Sequence, residues 1–140
     1  MLMRISALSM ILENDEHSKY GWSHALTIPH SIWSLNNFGD GSLNLLKSAV
    51  THCASYRHLM PEHKITSELL DEYYEVDEIS IFAEHYVLIT DIISRASAME
   101  DAHLVKYAYT CFDLMKKDPQ YSRLYASAAD RLLQIWLNED

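Results

Sequence analysis

The chain has 140 residues, 49% apolar and 22% charged, which suits one soluble domain with a core of its own. Its formal net charge of −9, from 11 Lys and Arg against 20 Asp and Glu, leaves no basic stripe for nucleic acid and disfavours an anionic membrane surface. No apolar run approaches the roughly 18–20 residues of a spanning helix, and three Gly with three Pro provide few tight turns, which favours long helices over short strands.

Residues 2–13 place Leu2, Ile5, Leu8 and Leu12 at helical spacing. The opening carries one basic residue and ends in Glu13, Asp15 and Glu16, without the clean apolar centre or cleavage site of a secretory signal. After a polar break to Lys19, the stretch GWSHALTIPHSIW predicts a second helix from about Trp22 to Asn37. Asn36 to Gly41 is the clearest turn, dense in residues that tolerate positive φ. A third helix follows from Ser42 to about Leu59, stopped by Pro61.

Residues 65–74 and 77–98 read as a short and a long helix. A strand competes only at Asp77 to Ile81, and the spacing of Phe82, Leu88, Ile89, Ile92 and Ile93 favours helix. Glu100 and Asp101 open the next, closed by Lys116 and Lys117 with a break at Asp118–Pro119, and the last runs from about Tyr121 to Leu137. The expectation is an all-α fold, one domain over 1–140, of six or seven helices in an irregular bundle. Cys53 and Cys111 lack metal or redox spacing and read as buried thiols of a cytoplasmic protein.

Two histidine-bearing stretches stand out. In the second helix, Trp22, Ala25, Leu26, Pro29, Ile32 and Trp33 share one face, and His24, Ile28, Ser31 and Leu35 the other. With both faces partly apolar, the helix is expected to be buried on two sides, so His24 and Ser31 need partners there. Pro29 removes a donor and frees the carbonyl of Ala25, which suggests a bend and a pocket wall. In EDAHLVKYAYTCFDLMKKDP, His103, Tyr107, Thr110 and Leu114 form one line, expected at the border between core and solvent, with Lys106, Asp113 and Lys117 beside it. Each histidine has a plainer alternative, a core or boundary ring bonded to a neighbouring carbonyl or to water.

Glu84, His85 and Asp91 on the long helix raise a metal site, Glu84 being expected sheltered, but the Glu-x-x-His signature of di-metal bundles is missing. His52 and Tyr56 are expected to pair at i, i+4, and His17, His58 and His63 to be solvated. No Gly-rich phosphate loop and no nucleophile elbow occurs.

The stretches GWSHALTIPHSIW and DAHLVKYAYTCFD, followed by DPQYSRLYASAADRLLQIWL, resemble the questin oxidase-like family over about residues 20–137. The resemblance implies a helical protein equivalent to the C-terminal half of a longer family. It also implies an activity of the Baeyer–Villiger type, opening a ring of an aromatic polyketide with reduced nicotinamide. Carried over by motif, the positions are His24, Thr27, His103, Lys106 and Tyr107.

The expected site therefore lies between the His24 and His103 helices. His24 or His103 would take a proton from a phenolic substrate. Tyr107 would donate to a carbonyl, Lys106 would offset negative charge, and Trp22, Thr27, Ser31 and Thr110 would bind the ligand. The partner expected is a small aromatic molecule. Two alternatives stand beside this: a non-catalytic acidic binding module of the immunity type, and a metal-binding helical protein. Trp33, Trp136 and Leu137, on helices already supplied with a core face, suggest a homo-oligomer, most simply a dimer.

Overall fold

The computed structural model describes residues 1–38, 43–76 and 78–138. Among the described residues seven α-helices carry the fold: α1 (Leu2–Leu12), α2 (Ser23–Phe38), α3 (Leu43–Leu59), α4 (Ser67–Asp71), α5 (Glu78–Ala98), α6 (Ala102–Lys117) and α7 (Ser122–Leu137). No strand occurs among the described residues, and Glu78 to Ile81 belong to α5. Of the turn expected at 36–41, Asn36 to Phe38 belong to α2, whereas 39–41 lie outside the described residues, as does Asp77.

Helices α5, α6 and α7 pack against one another as a three-helix unit, with α1 laid on α7 and the α2–α3 hairpin on α1 and α6. The core joins Leu8, Met10, Leu26, Ile92, Leu104 and Leu132, drawn from five helices and all fully buried. At about 25 cal/mol per Å² of apolar surface, each such side chain contributes roughly 1.5–3 kcal/mol.

Local chemistry sets the ends. Asp101 is the N-cap of α6 and accepts from the backbone N–H of His103 at 2.8 Å and of Leu104 at 3.1 Å. Glu100, expected to open that helix, instead sits in the preceding turn with φ of 56°. A π-turn over Ser18–Trp22 leads into α2, and Pro29 lies within the helix without ending it.

Helix α2 buries one side rather than two. Trp22, Ala25, Leu26, Thr27 and Pro29 are buried, whereas Ser31 and Leu35 are exposed and His24 half-buried. The stripe of His24, Ile28, Ser31 and Leu35 is only partly covered: Ile28, like His24, is half-buried, and none of the four is fully buried.

Candidate functional site

The described contacts run α2 and α6 side by side in the same direction. His24 stands against His103, His30 against Asp113, and Trp33 against Lys117. Three stations follow one another along this seam.

At its N-terminal end the rings of His24 and His103 lie 5.4 Å apart, centre to centre, at 67°. The Tyr20 ring stands edge-on to His103 at 5.1 Å and 6.3 Å from Trp136. The π-turn presents the Tyr20 carbonyl to Nδ1 of His24. A carbonyl only accepts, so that nitrogen carries a proton, and in the neutral ring Nε2 is the one with the lone pair. Nδ1 of His103 stands 3.6 Å from the Asp101 carboxylate, the same group that caps α6. His24 is thus oriented by a hydrogen bond from its Nδ1 side, the arrangement that makes an imidazole a competent base or metal ligand, whereas the His103 contact is a longer-range charge contact.

One and two turns further on, Ser31, Lys106 and Thr110 join His30, Ser34 and Tyr109 around an open groove of about 420 Å³. Ser31 follows His24 by seven residues and Thr110 follows His103 by seven. The groove therefore begins about 10 Å along the same faces. Thr27 lies between, buried, with its hydroxyl donating to the Ser23 carbonyl at 3.0 Å. Of the expected site residues, the structure brings together His24 with His103, and Ser31 with Lys106 and Thr110.

Two expected residues lie elsewhere. Tyr107 is fully buried and its hydroxyl makes no regular hydrogen bond. Burial first, and then the neighbouring Cys111 thiol, holds that phenol well above its ordinary pKa. It faces the core because the buried face of α6 is centred on Leu104, Tyr107 and Cys111, so Tyr107, Thr110 and Leu114 of the line expected at the border lie inside it and His103 alone stays at its edge. Trp22 is also fully buried. It packs against Tyr56 at 6.3 Å and under the Arg57 guanidinium at 5.5 Å, on the α3 side of the molecule.

The metal grouping suggested on α5 does not assemble. Glu84 and Asp91 are exposed, Asp91 pairs with Arg95 at 3.9 Å, and His85 turns to Glu75 at 3.4 Å. His52 and Tyr56 do pair, with ring centres 4.8 Å apart.

Sequence reasoning missed two features. His30 Nε2 donates to Asp113 Oδ2 at 2.8 Å, and Lys117 bonds the same carboxylate, closing the seam beyond the groove. Burial alone would raise the Asp113 carboxyl; Lys117 and His30 outweigh it and hold the group below its usual range. The signal was the second histidine of the quoted stretch, six residues after the first. The other is Glu13, buried and bound by Arg57, the Glu62 backbone N–H at 2.7 Å and His63 at 3.4 Å. Nothing local in the sequence marks it, since its partners lie more than 40 residues away.

Glu13, Glu62 and His63 form the only carboxylate–imidazole group of three among the described residues. The Arg57 cation already occupies the Glu13 carboxylate there. Against protein-family models, curated proteins and solved structures alike, the chain matches nothing.

Proposed function

We infer that this chain is a questin oxidase-like helical protein that binds a flat phenolic molecule along the α2–α6 seam and acts on it, as an oxidoreductase, at the His24–His103 pair. The observation that carries the reading is the 5.4 Å separation of two rings 79 positions apart in the chain, with His24 bonded through Nδ1 to the Tyr20 carbonyl and His103 Nδ1 3.6 Å from the Asp101 carboxylate. A phenolic hydroxyl at that end meets a lone pair able to take its proton. The ligand body would extend over Thr27 into the groove, where Ser31 and Thr110 offer hydroxyls and Lys106 a cation. Tyr107 and Trp22 take no part in this version, being sealed in the core. Reduced nicotinamide enters only as what the family resemblance implies.

The test is a spectrophotometric titration with 1,8-dihydroxyanthraquinone, whose absorption moves to longer wavelength on ionisation. Binding with that shift is expected, and His24→Gln or His103→Gln should abolish it while leaving the melting temperature unchanged. An identical shift in both variants would remove the imidazoles from the reading.

One distance favours a metal-assisted form of the same site. Two imidazoles bound to one tetrahedral ion at about 2.0–2.1 Å have ring centres roughly 5 Å apart, close to the separation found. No third His, Cys, Asp or Glu joins the pair among the described residues, so an ion there would keep open positions for water or substrate. Titration with Co²⁺ reads this directly: a visible absorption band lost in either histidine variant supports it, and an equal band in both excludes it.

A further inference from the structure

We propose that a second cavity, at the far end of the seam, binds a small amphipathic anion, an aliphatic or aromatic carboxylate, independently of the histidine pair. The cavity has a volume of about 510 Å³, within the range of small-molecule sites. It lies among α1, α2, α3, α6 and α7, and its walls include Pro29, Trp33, Ala49, Val50 and Leu114. Trp33 follows His24 by nine residues and Lys117 follows His103 by fourteen, so the two sites are roughly 13–20 Å apart along the helices. The His30–Asp113 pair stands between them.

The charged side chains of this cavity decide the ligand's sign. Asp118 is the only carboxylate in the lining, and it is already saturated. Arg4 grips both its oxygens at 2.8 Å, and the Tyr125 hydroxyl donates to Oδ2 at 2.9 Å. Lys117 Nζ rests 4.3 Å over the Trp33 ring and bonds Asp113 outside the cavity. It is partly solvent-exposed, as is Val50, which places the cation at an open side. Arg4 contributes Nε and Nη2 to Asp118, and its Nη1 is not part of that pair. With Arg4 set against Asp118, the lining is left with the Lys117 cation, whose carboxylate partner Asp113 lies outside it, in a chain whose net charge is −9. A neutral apolar ligand would use the walls alone. An anionic head with an apolar body uses both.

Isothermal titration with decanoate and with decanol, its uncharged counterpart, tests the proposal on the intact chain. Decanoate should bind one-to-one and at least tenfold more tightly than decanol. Lys117→Gln should bring the two affinities together by weakening decanoate alone. Val50→Trp, at a half-exposed wall position that tolerates bulk, should weaken both ligands by tenfold or more, and Ala49→Phe should do the same from the buried side. His24→Gln should change neither, which separates failure here from failure of the seam reading. Equal binding of decanoate and decanol would overturn the charge assignment. Binding untouched by Val50→Trp and Ala49→Phe, or none at millimolar ligand, would overturn the site.

Discussion

The Cys53 thiol donates to the carbonyl of Ala25 at 3.1 Å, joining the middle of α3 to the first turn of α2. That carbonyl is the one Pro29 leaves without its helical donor. A second contact, 3.2 Å between Cys53 Sγ and Ser6 Oγ, extends the link to α1. The gap that Pro29 opens is therefore filled from within, and α2 runs through the proline instead of ending at it.

Cys53→Val keeps the bulk of the thiol and removes its donor, leaving the Ala25 carbonyl buried and unpaired. The expected loss is about 1–3 kcal/mol in urea denaturation, with Cys53→Ser retaining more of the native stability than Cys53→Val. Burial also pushes the Cys53 thiol up, against a smaller opposing effect of Ser6, and pushes Cys111 up further. Neither should react with a disulfide reagent until the chain unfolds. Fast labelling of either thiol in the native protein contradicts this.

Glu13 supplies the second prediction. Burial alone would raise its pKa, but the Glu62 N–H, Arg57 and His63 outweigh that effect and hold it below the ordinary value. A folded pKa below the unfolded one stabilises at neutral pH. The contribution is complete above the unfolded value, about 4.3, and is lost as pH falls through the lower folded value. Glu13→Gln should cost about 3 kcal/mol at pH 7. The gap between variant and native protein should close on acidification, and a gap that stays constant down to pH 3 would count against this account.

The turn between α5 and α6 gives a change in the opposite direction. Glu100 holds φ of 56°, where a side chain costs roughly 1–2 kcal/mol that glycine avoids. Because glycine also loosens the unfolded chain, the net gain expected from Glu100→Gly is about 0.5–1 kcal/mol. A lower melting temperature in that variant would show that the Glu100 side chain holds the turn.

Self-association is expected, though from a different face than Trp33, Trp136 and Leu137 suggest. Trp33 lies under Lys117, and Trp136 lies 4.4 Å beneath Lys19. The large apolar side chains left open include Leu43, Val50 and Leu59 on α3 and Val87 on α5, each more than half exposed, while Leu137 is 38% exposed. Sedimentation velocity at micromolar concentration should reveal a species heavier than 16.2 kDa. A single monomer boundary refutes it, and Leu43→Lys or Val87→Lys should favour the monomer.

The helices were legible because apolar spacing, caps and breakers are local. Asp101, Lys116–Lys117 and Pro61 mark their ends within one turn. The partnership of His24 and His103 was reachable from the chemistry of the two motifs. Tyr107 was misplaced because a phenol at the edge of an apolar stripe can face either way. A rotation of α6 by one residue, about 100°, decides between border and core, and packing against α5 and α7 sets it. Glu13 and the Arg4–Asp118 pair, 114 residues apart, depend wholly on tertiary placement.

Parallel neighbours cannot be joined by a short turn, so α3, α4 and α5 form the crossover between α2 and α6. Each half of the chain then contributes one wall of the seam and one imidazole. Loop-closure entropy over 79 positions must be met before the pair exists, which makes it a late event in folding. Chain scission in the exposed stretch at Pro61–Lys64 would separate α1–α3 from α4–α7 without cutting a helix. The histidine pair would then become a reporter of fragment complementation, absent from either piece and restored when the two reassociate.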